Sequence, residues 1–165
     1  MSNLIDIIEK PFTGERLYAM RELRTMGAAA KSAVSVLIKA STENNAEIKK
    51  SSIETLGQIG PDAADAAPAL AAALNDPDKD VRLSATMALG KIGPNAAEAV
   101  PAIIAALKDP DKEIRLSAAV ALGEIGPAAV EAVPALVAAL KSPRALIPRF
   151  AAIALRKIGP PLQKS

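Results

Sequence analysis

The chain has 165 residues, half of them hydrophobic but only 2% aromatic, with no Cys, His or Trp and a formal net charge of +2. Lacking Cys it has no disulfide or thiolate metal site, and lacking His it has no usual general base, neutral metal ligand or pH switch, so no catalytic residue, metal or cofactor is predicted. The near-neutral charge and the shortage of aromatics to stack on bases argue against a nucleic-acid partner.

The N-terminal stretch MSNLIDIIEKPF has neither a basic n-region nor a long apolar h-region, so no signal peptide is expected. Charges or Pro interrupt each apolar run before it reaches the length of a bilayer span, and a cytoplasmic protein is predicted. From there a single period governs the chain. Gly60-Pro61, Gly93-Pro94, Gly126-Pro127 and Gly159-Pro160 stand 33 residues apart, as do Pro68, Pro101 and Pro134, and as do Asp76-Pro77, Asp109-Pro110 and Ser142-Pro143. Leu4, Leu37, Leu70, Ile103 and Leu136 share that register, and so do Gly27 and Gly60. Self-similarity at such a period is the mark of a solenoid. The reading is one domain of five units, about 1–27, 28–60, 61–93, 94–126 and 127–159, with a short tail.

Each unit reads as two helices, and the one at 94–126 serves as the reference. Its first helix is predicted from Asn95 to Lys108, opened by Pro94 and bearing Ile103, Ile104 and Leu107 on one face. Pro101 removes a backbone donor inside it, which predicts a kink or a short turn followed by a fresh helix. The second helix is expected to begin with Asp109 as N-cap and Pro110 at N1. Ile114, Ala118, Ala121, Leu122 and Ile125 form its core face, and Gly126 closes it in a left-handed conformation. The short connections make successive helices antiparallel, no stretch reads as strand, and the fold class is an all-α solenoid.

The ankyrin signature T-P-L-H-x-A is absent despite the shared period, and with Phe12, Tyr18 and Phe150 as its few aromatics the chain does not meet the tetratricopeptide pattern. Three near-copies decide the matter: VPAIIAALKDPDKEIRLSAAVALGEIGP, the copy through DPDKDVRLSATMALGKIGP, and a diverged one through SPRALIPRFAAIALRKIGP. They resemble the short bacterial HEAT-like repeat, also called the phycobilisome-lyase HEAT-like repeat. The resemblance implies an armadillo/HEAT-like right-handed superhelix with second helices on the concave side. It also implies a ladder between neighbours from Asp76 and Asp109 in the turns to Arg82 and Arg115 early in helix two. Lys49 and Pro148 replace the Arg in the outer units, so the ladder is expected to be weakest at both ends, and its charges read as solvated surface pairs of small individual worth.

The candidate site lies on the side of helix two away from that core face, where Leu116, Ala119, Val120 and Gly123 fall. Family members commonly carry charge along this stripe, whereas here Leu83, Met87, Leu116 and Val120 occupy it, Ile53 and Ile153 extend it, and Arg24, Lys50, Arg149 and Arg156 border it. One reading packs these side chains sideways between adjacent second helices; the other makes them a groove for a partner segment, amphipathic or extended, with acidic flanks. At the C-terminal end Lys141, Arg144, Arg149, Arg156, Lys157 and Lys164 occur without an acid, and Phe150 stands where other units have Ser51, Ser84 and Ser117. Phe150 is read as a cap over an open end, the alternative being a docking end for an acidic partner or a second copy.

The expected function is a non-enzymatic protein-interaction, scaffold or assembly module, for there is no Gly-rich phosphate loop and no acid pair outside the repeat-register turns. The family resemblance supplies the alternative of an auxiliary subunit of a phycobilin lyase or isomerase. A self-assembling structural protein is the third.

Overall fold

A computed structural model of the chain describes residues 2–144 and 146–159; Pro160, the tail and Lys164 lie outside the described residues, as does Ala145. The α-helices are α1 (Ser2–Ile8), α2 (Thr13–Met26), α3 (Val34–Ala40), α4 (Ala46–Ile59), α5 (Ala67–Ala73), α6 (Lys79–Ile92), α7 (Val100–Ala106), α8 (Lys112–Ile125), α9 (Val133–Ala139) and α10 (Ile147–Ile158). Tight 3-10 segments, Gly27–Ala33, Gly60–Ala66, Gly93–Ala99 and Gly126–Ala132, lead into α3, α5, α7 and α9. The described residues contain no strand. The molecule is an α-solenoid.

Pro101 produces a break rather than a kink. The stretch predicted as one helix from Asn95 is a 3-10 segment, and α7 begins afresh at Val100 with the proline in its first turn. Ala96, at φ −96° and ψ 18°, is a non-helical residue inside that 3-10 segment. Pro68 and Pro134 open α5 and α9 in the same way, where a missing N–H breaks no helical bond.

Helix two starts two residues later than Asp109 predicts. Asp111 is the N-cap of α8 and accepts from the Glu113 N–H at 2.8 Å, while Asp109 accepts from the Asp111 N–H, also at 2.8 Å. Asp76 and Asp78 repeat this pair of turns ahead of α6. Pro110 thus sits in the turn, between two carboxylates that each hold a backbone donor. At the other end Gly126 has φ +70°, a left-handed value that a side chain would strain, and its N–H returns to the Leu122 carbonyl.

The core is a single line of aliphatic side chains. Leu37, Leu70, Ile103 and Leu136 are fully buried, one from each of α3, α5, α7 and α9. The face predicted for α8, Ile114, Ala118, Ala121, Leu122 and Ile125, is buried throughout. Second helices also pack directly on one another in the order α2, α4, α6, α8, α10. Small residues allow this approach: a Cβ placed on Gly57 would meet the Ala88 Cα at 2.8 Å, and one on Gly90 would meet the Ala121 Cα at 3.2 Å.

One run of helical residues, Lys112–Ala139, is 28 residues long and contains an 18-residue stretch of mean hydropathy 1.5, long and apolar enough by those measures to cross a membrane. Glu124, Pro127, Glu131 and Pro134 interrupt it. The run is not one axis, because Gly126 ends α8 after 14 residues. At 1.5 Å per residue that is about 21 Å, short of a hydrocarbon core of about 30 Å.

Candidate functional site

The stripe on the second helices divides in two. Met87 and Val120 are exposed, at 49% and 41%, and Leu83, Leu116 and Ile153 are half-buried beside them. Met87, Leu116 and Val120 line one open cavity of about 510 Å³ together with Thr86, Gly90 and Phe150. It lies across α6, α8 and α10, with Lys91 and Glu124 at its polar rim. Phe150 therefore turns into this groove from α10, towards α8, and does not serve only as the cover of an open end.

Other members of the stripe belong to the interior. Ile53 is fully buried, and its register mates Thr86 and Ala119 are buried as well. It lies one helical turn before Gly57, on the edge of α4 that packs against α6. Ala119 precedes Gly123 in the same way, and a Cβ on Gly123 would meet the Ala154 Cα at 3.1 Å. Ile53 is accordingly withdrawn from the surface patch, and sideways packing describes Ile53, Ala119 and Gly123 while leaving Met87 and Val120 free.

The bordering cations also divide. Arg24 is paired with Glu54, and Lys50 Nζ lies 3.8 Å from Asp80. Arg149 and Arg156 are exposed and have no ion pair among the described residues. Positive charge available to a partner is thus concentrated at the α10 end.

The ladder is more continuous and less solvated than expected. Arg82 Nε donates to Asp109 Oδ2 at 2.9 Å and its Nη2 to Oδ1 at 3.3 Å, with side chains only 16% and 8% exposed. Lys49 takes the Arg position and pairs with Asp76. Sequence reasoning missed the next rung, in which Arg16 donates to Glu43 at 2.9 and 2.6 Å, although positions 16 and 43 share the register of 82 and 109. The N-terminal end is therefore not a weak one. Burial works to raise the Asp76 carboxyl, but the hydrogen bond from Lys49 and the turn outweigh it and hold the group below its ordinary range. The Arg16 hydrogen bond holds Glu43 low in the same way. These pairs fasten neighbouring turns together, and none of them opens onto the groove. No cluster of three acidic side chains suited to a metal occurs among the described residues.

The family model for HEAT repeats matches residues 1–90 and 67–156. The chain belongs to the HEAT-repeat family. An engineered protein of known structure is similar at 26% identity and a TM-score of 0.78, over 94% of this chain and 78% of that one. A designed armadillo repeat protein in complex with the peptide (KR)4 is similar at 18% identity and a TM-score of 0.79, over 96% and 81%. The complex of CpcE and CpcF of phycocyanin lyase from Nostoc sp. PCC7120 is similar at 24% identity and a TM-score of 0.75, over 94% of this chain and 63% of that one. The curated proteins contain no match to the sequence.

Proposed function

We propose that this HEAT-repeat chain is a non-catalytic protein-interaction or assembly module, and that it holds an apolar partner segment in the groove around Met87, Leu116, Val120 and Phe150. One observation carries this reading. On α6 and α8 every other Val, Leu, Ile or Met is buried or half-buried, yet Met87 and Val120 stand exposed in a shared cavity. Apolar side chains gathered at one surface are more informative than the same residues scattered.

The layer that carries the groove supports a concave placement. Second helices pack directly on one another, whereas α5 and α7 meet only sparingly. The closer-spaced layer of a stack lies on the inside of its curve. Arg149 and Arg156, exposed on α10, favour acidic flanks on the segment. The shared fold with a designed armadillo repeat protein solved with a bound peptide is consistent with a segment as ligand. The lyase-subunit alternative rests on fold likeness alone, and acquisition of visible absorbance on mixing with a bilin would be its signature.

The test is the double substitution Met87→Glu and Val120→Glu, two exposed positions where charge leaves the core untouched. Partners captured from native lysate by the parent chain are identified by mass spectrometry and compared with those held by the variant. Loss of a captured protein at unchanged helical circular dichroism supports the groove; an identical captured set sinks it.

A further inference from the structure

The last rung of the ladder has its cation but no acid. Arg115 stands in register with Arg82 and uses Nη1 in the same way, donating to the carbonyls of Asp109 and Pro110 at 2.6 and 2.7 Å, as Arg82 does to those of Asp76 and Pro77. In Arg82 the remaining edge, Nε and Nη2, grips Asp109. The residue that would meet the same edge of Arg115 is Ser142. Ser142 keeps the turn, accepting the Arg144 N–H at 3.3 Å, but offers no carboxylate. Arg115 is only 8% exposed, and its Nε is buried without a hydrogen-bond partner. Asp111 feels the Arg115 charge but is engaged elsewhere: Oδ1 caps α8 and Oδ2 lies 3.8 Å from Lys79.

A cavity of about 560 Å³ has Arg115 and Ser142 among its lining residues. Ile104, Leu107 and Ile147 are among its apolar walls, and Lys108 and Arg144 add positive charge with no acidic side chain among its lining residues. Arg16 makes the contrast. Its Nε is also without a partner, but Glu43 already neutralises it with two bonds.

We propose that the Nε–Nη2 edge of Arg115 is a receptor for a carboxylate supplied in trans by an acidic segment of a partner protein, an Asp or Glu flanked by apolar side chains. The segment completes the ladder that Ser142 leaves open. A carboxylate fits because the same edge one step earlier holds one in bidentate form, and that fork geometry is what planar guanidinium matches best. The apolar walls suit the flanking side chains of a peptide better than they suit a phosphate. This site lies at the turns between helices one and two, and is independent of the groove on the second-helix face.

The test reads the Arg115 Nε–H resonance, assigned with Arg115→Lys, during titration with acetyl-Leu-Asp-Leu-amide, acetyl-Leu-Asn-Leu-amide and inorganic phosphate at fixed ionic strength. The Asp peptide is expected to shift the resonance and the Asn peptide to leave it in place. Ser142→Asp fills the edge in cis, and is expected to weaken the Asp peptide at least about tenfold, the scale of a charge-assisted hydrogen-bond pair. The same variant is expected to melt a few degrees higher, on the order of 5 °C. Equal response to both peptides, equal binding by Ser142→Asp, or a shift with phosphate alone overturns the proposal. A shift that grows with the concentration of the chain by itself would overturn the choice of a separate partner in favour of a second copy.

Discussion

Replacing Asp109 with Ala is expected to be among the most damaging changes to a turn residue in this chain. The Asp109 carboxylate accepts from Arg82 at 2.9 and 3.3 Å and from the Asp111 N–H at 2.8 Å, under a cover that leaves 8% of the side chain exposed. Alanine strands one edge of a guanidinium that is itself 16% exposed. Removing one partner of a buried pair costs about 3–5 kcal/mol. Arg82 regains some water at its exposed edge, which shifts the cost down to about 2–4 kcal/mol. In a chain of this length that corresponds to a fall in melting temperature of about 5–15 °C. The assay is thermal and urea unfolding followed by far-ultraviolet circular dichroism. Ser142→Ala is the internal control, since it removes an equivalent turn acceptor with no guanidinium pair, and a loss of about 0.5 kcal/mol or less is expected. Because each step of a solenoid touches only its neighbours, hydrogen exchange should quicken first around the α6–α8 junction. If Asp109→Ala and Ser142→Ala lie within about 0.5 kcal/mol of each other, or a double-mutant cycle with Arg82→Ala shows no coupling, the ladder does not hold the stack in the way argued.

Gly57→Ala should destabilise by up to about 2 kcal/mol in the same melts: the new Cβ meets the Ala88 backbone at 2.8 Å, and overpacking of about 1–3 kcal/mol opposes the helix-propensity gain of about 1 kcal/mol. Gly14→Ala, which has open space around it, should go the other way, and a matching loss at both positions would contradict the close-approach account. Acid sensitivity follows from Glu43 and Asp76, whose carboxyls are held below their ordinary values of 4.5 and 3.8. The unfolded chain binds more protons in that range, so this stability is complete above the ordinary values and is lost as pH falls through the lowered ones. Lys49→Met should flatten the Asp76 part of the acid slope, and an unchanged slope would show that the pair is not its source.

The repeat register made most of the fold legible. Gly126 and its mates, the prolines that open α5, α7 and α9, and the aliphatic face of α8 each follow from local chemistry that acts within a turn of chain. What periodicity could not separate was the two buried sides of a second helix. A soluble amphipathic helix has one core face, but α4, α6 and α8 are covered on one side by the first helices and on two edges by neighbouring second helices. Ile53 and Ala119 sit on such an edge, and nothing in their own sequence windows distinguishes an edge from open surface. The N-cap was misplaced for a different reason. Asp109 and Asp111 are both competent caps, and the choice between them falls to Asp111 because Asp109 is drawn to Arg82, a partner 27 residues away. Phe150 was legible as a departure from the Ser positions, but its direction into the groove was not.

The same departure-from-register logic separates an ornamental charge from a receptor at Arg115. Where a ladder simply ends, the cheaper solution is to lose the cation, as happens at Pro148, whose position in α10 is that of Arg82 and Arg115. Arg115 remains, 8% exposed, after its acid has been replaced by Ser142. A desolvated guanidinium with one edge unbonded is unfavourable by itself, and part of that penalty is offset locally. Its Nη1 bonds to the Asp109 and Pro110 carbonyls, at 2.6 and 2.7 Å, are shorter than the matching bonds of Arg82, at 2.9 and 3.2 Å. These bonds hold the side chain against its own turn, as the matching Nη1 bonds hold Arg82. A ligand carboxylate then finds a receptor whose ordering and desolvation are already complete, which is the condition under which a single ion pair contributes useful affinity. Arg115→Met tests the two halves of this argument together. Removing the unpaired charge should leave the free chain as stable as before or more so, while abolishing the response to acetyl-Leu-Asp-Leu-amide, whereas a strongly destabilised variant would mean that the Nη1 bonds alone account for the residue.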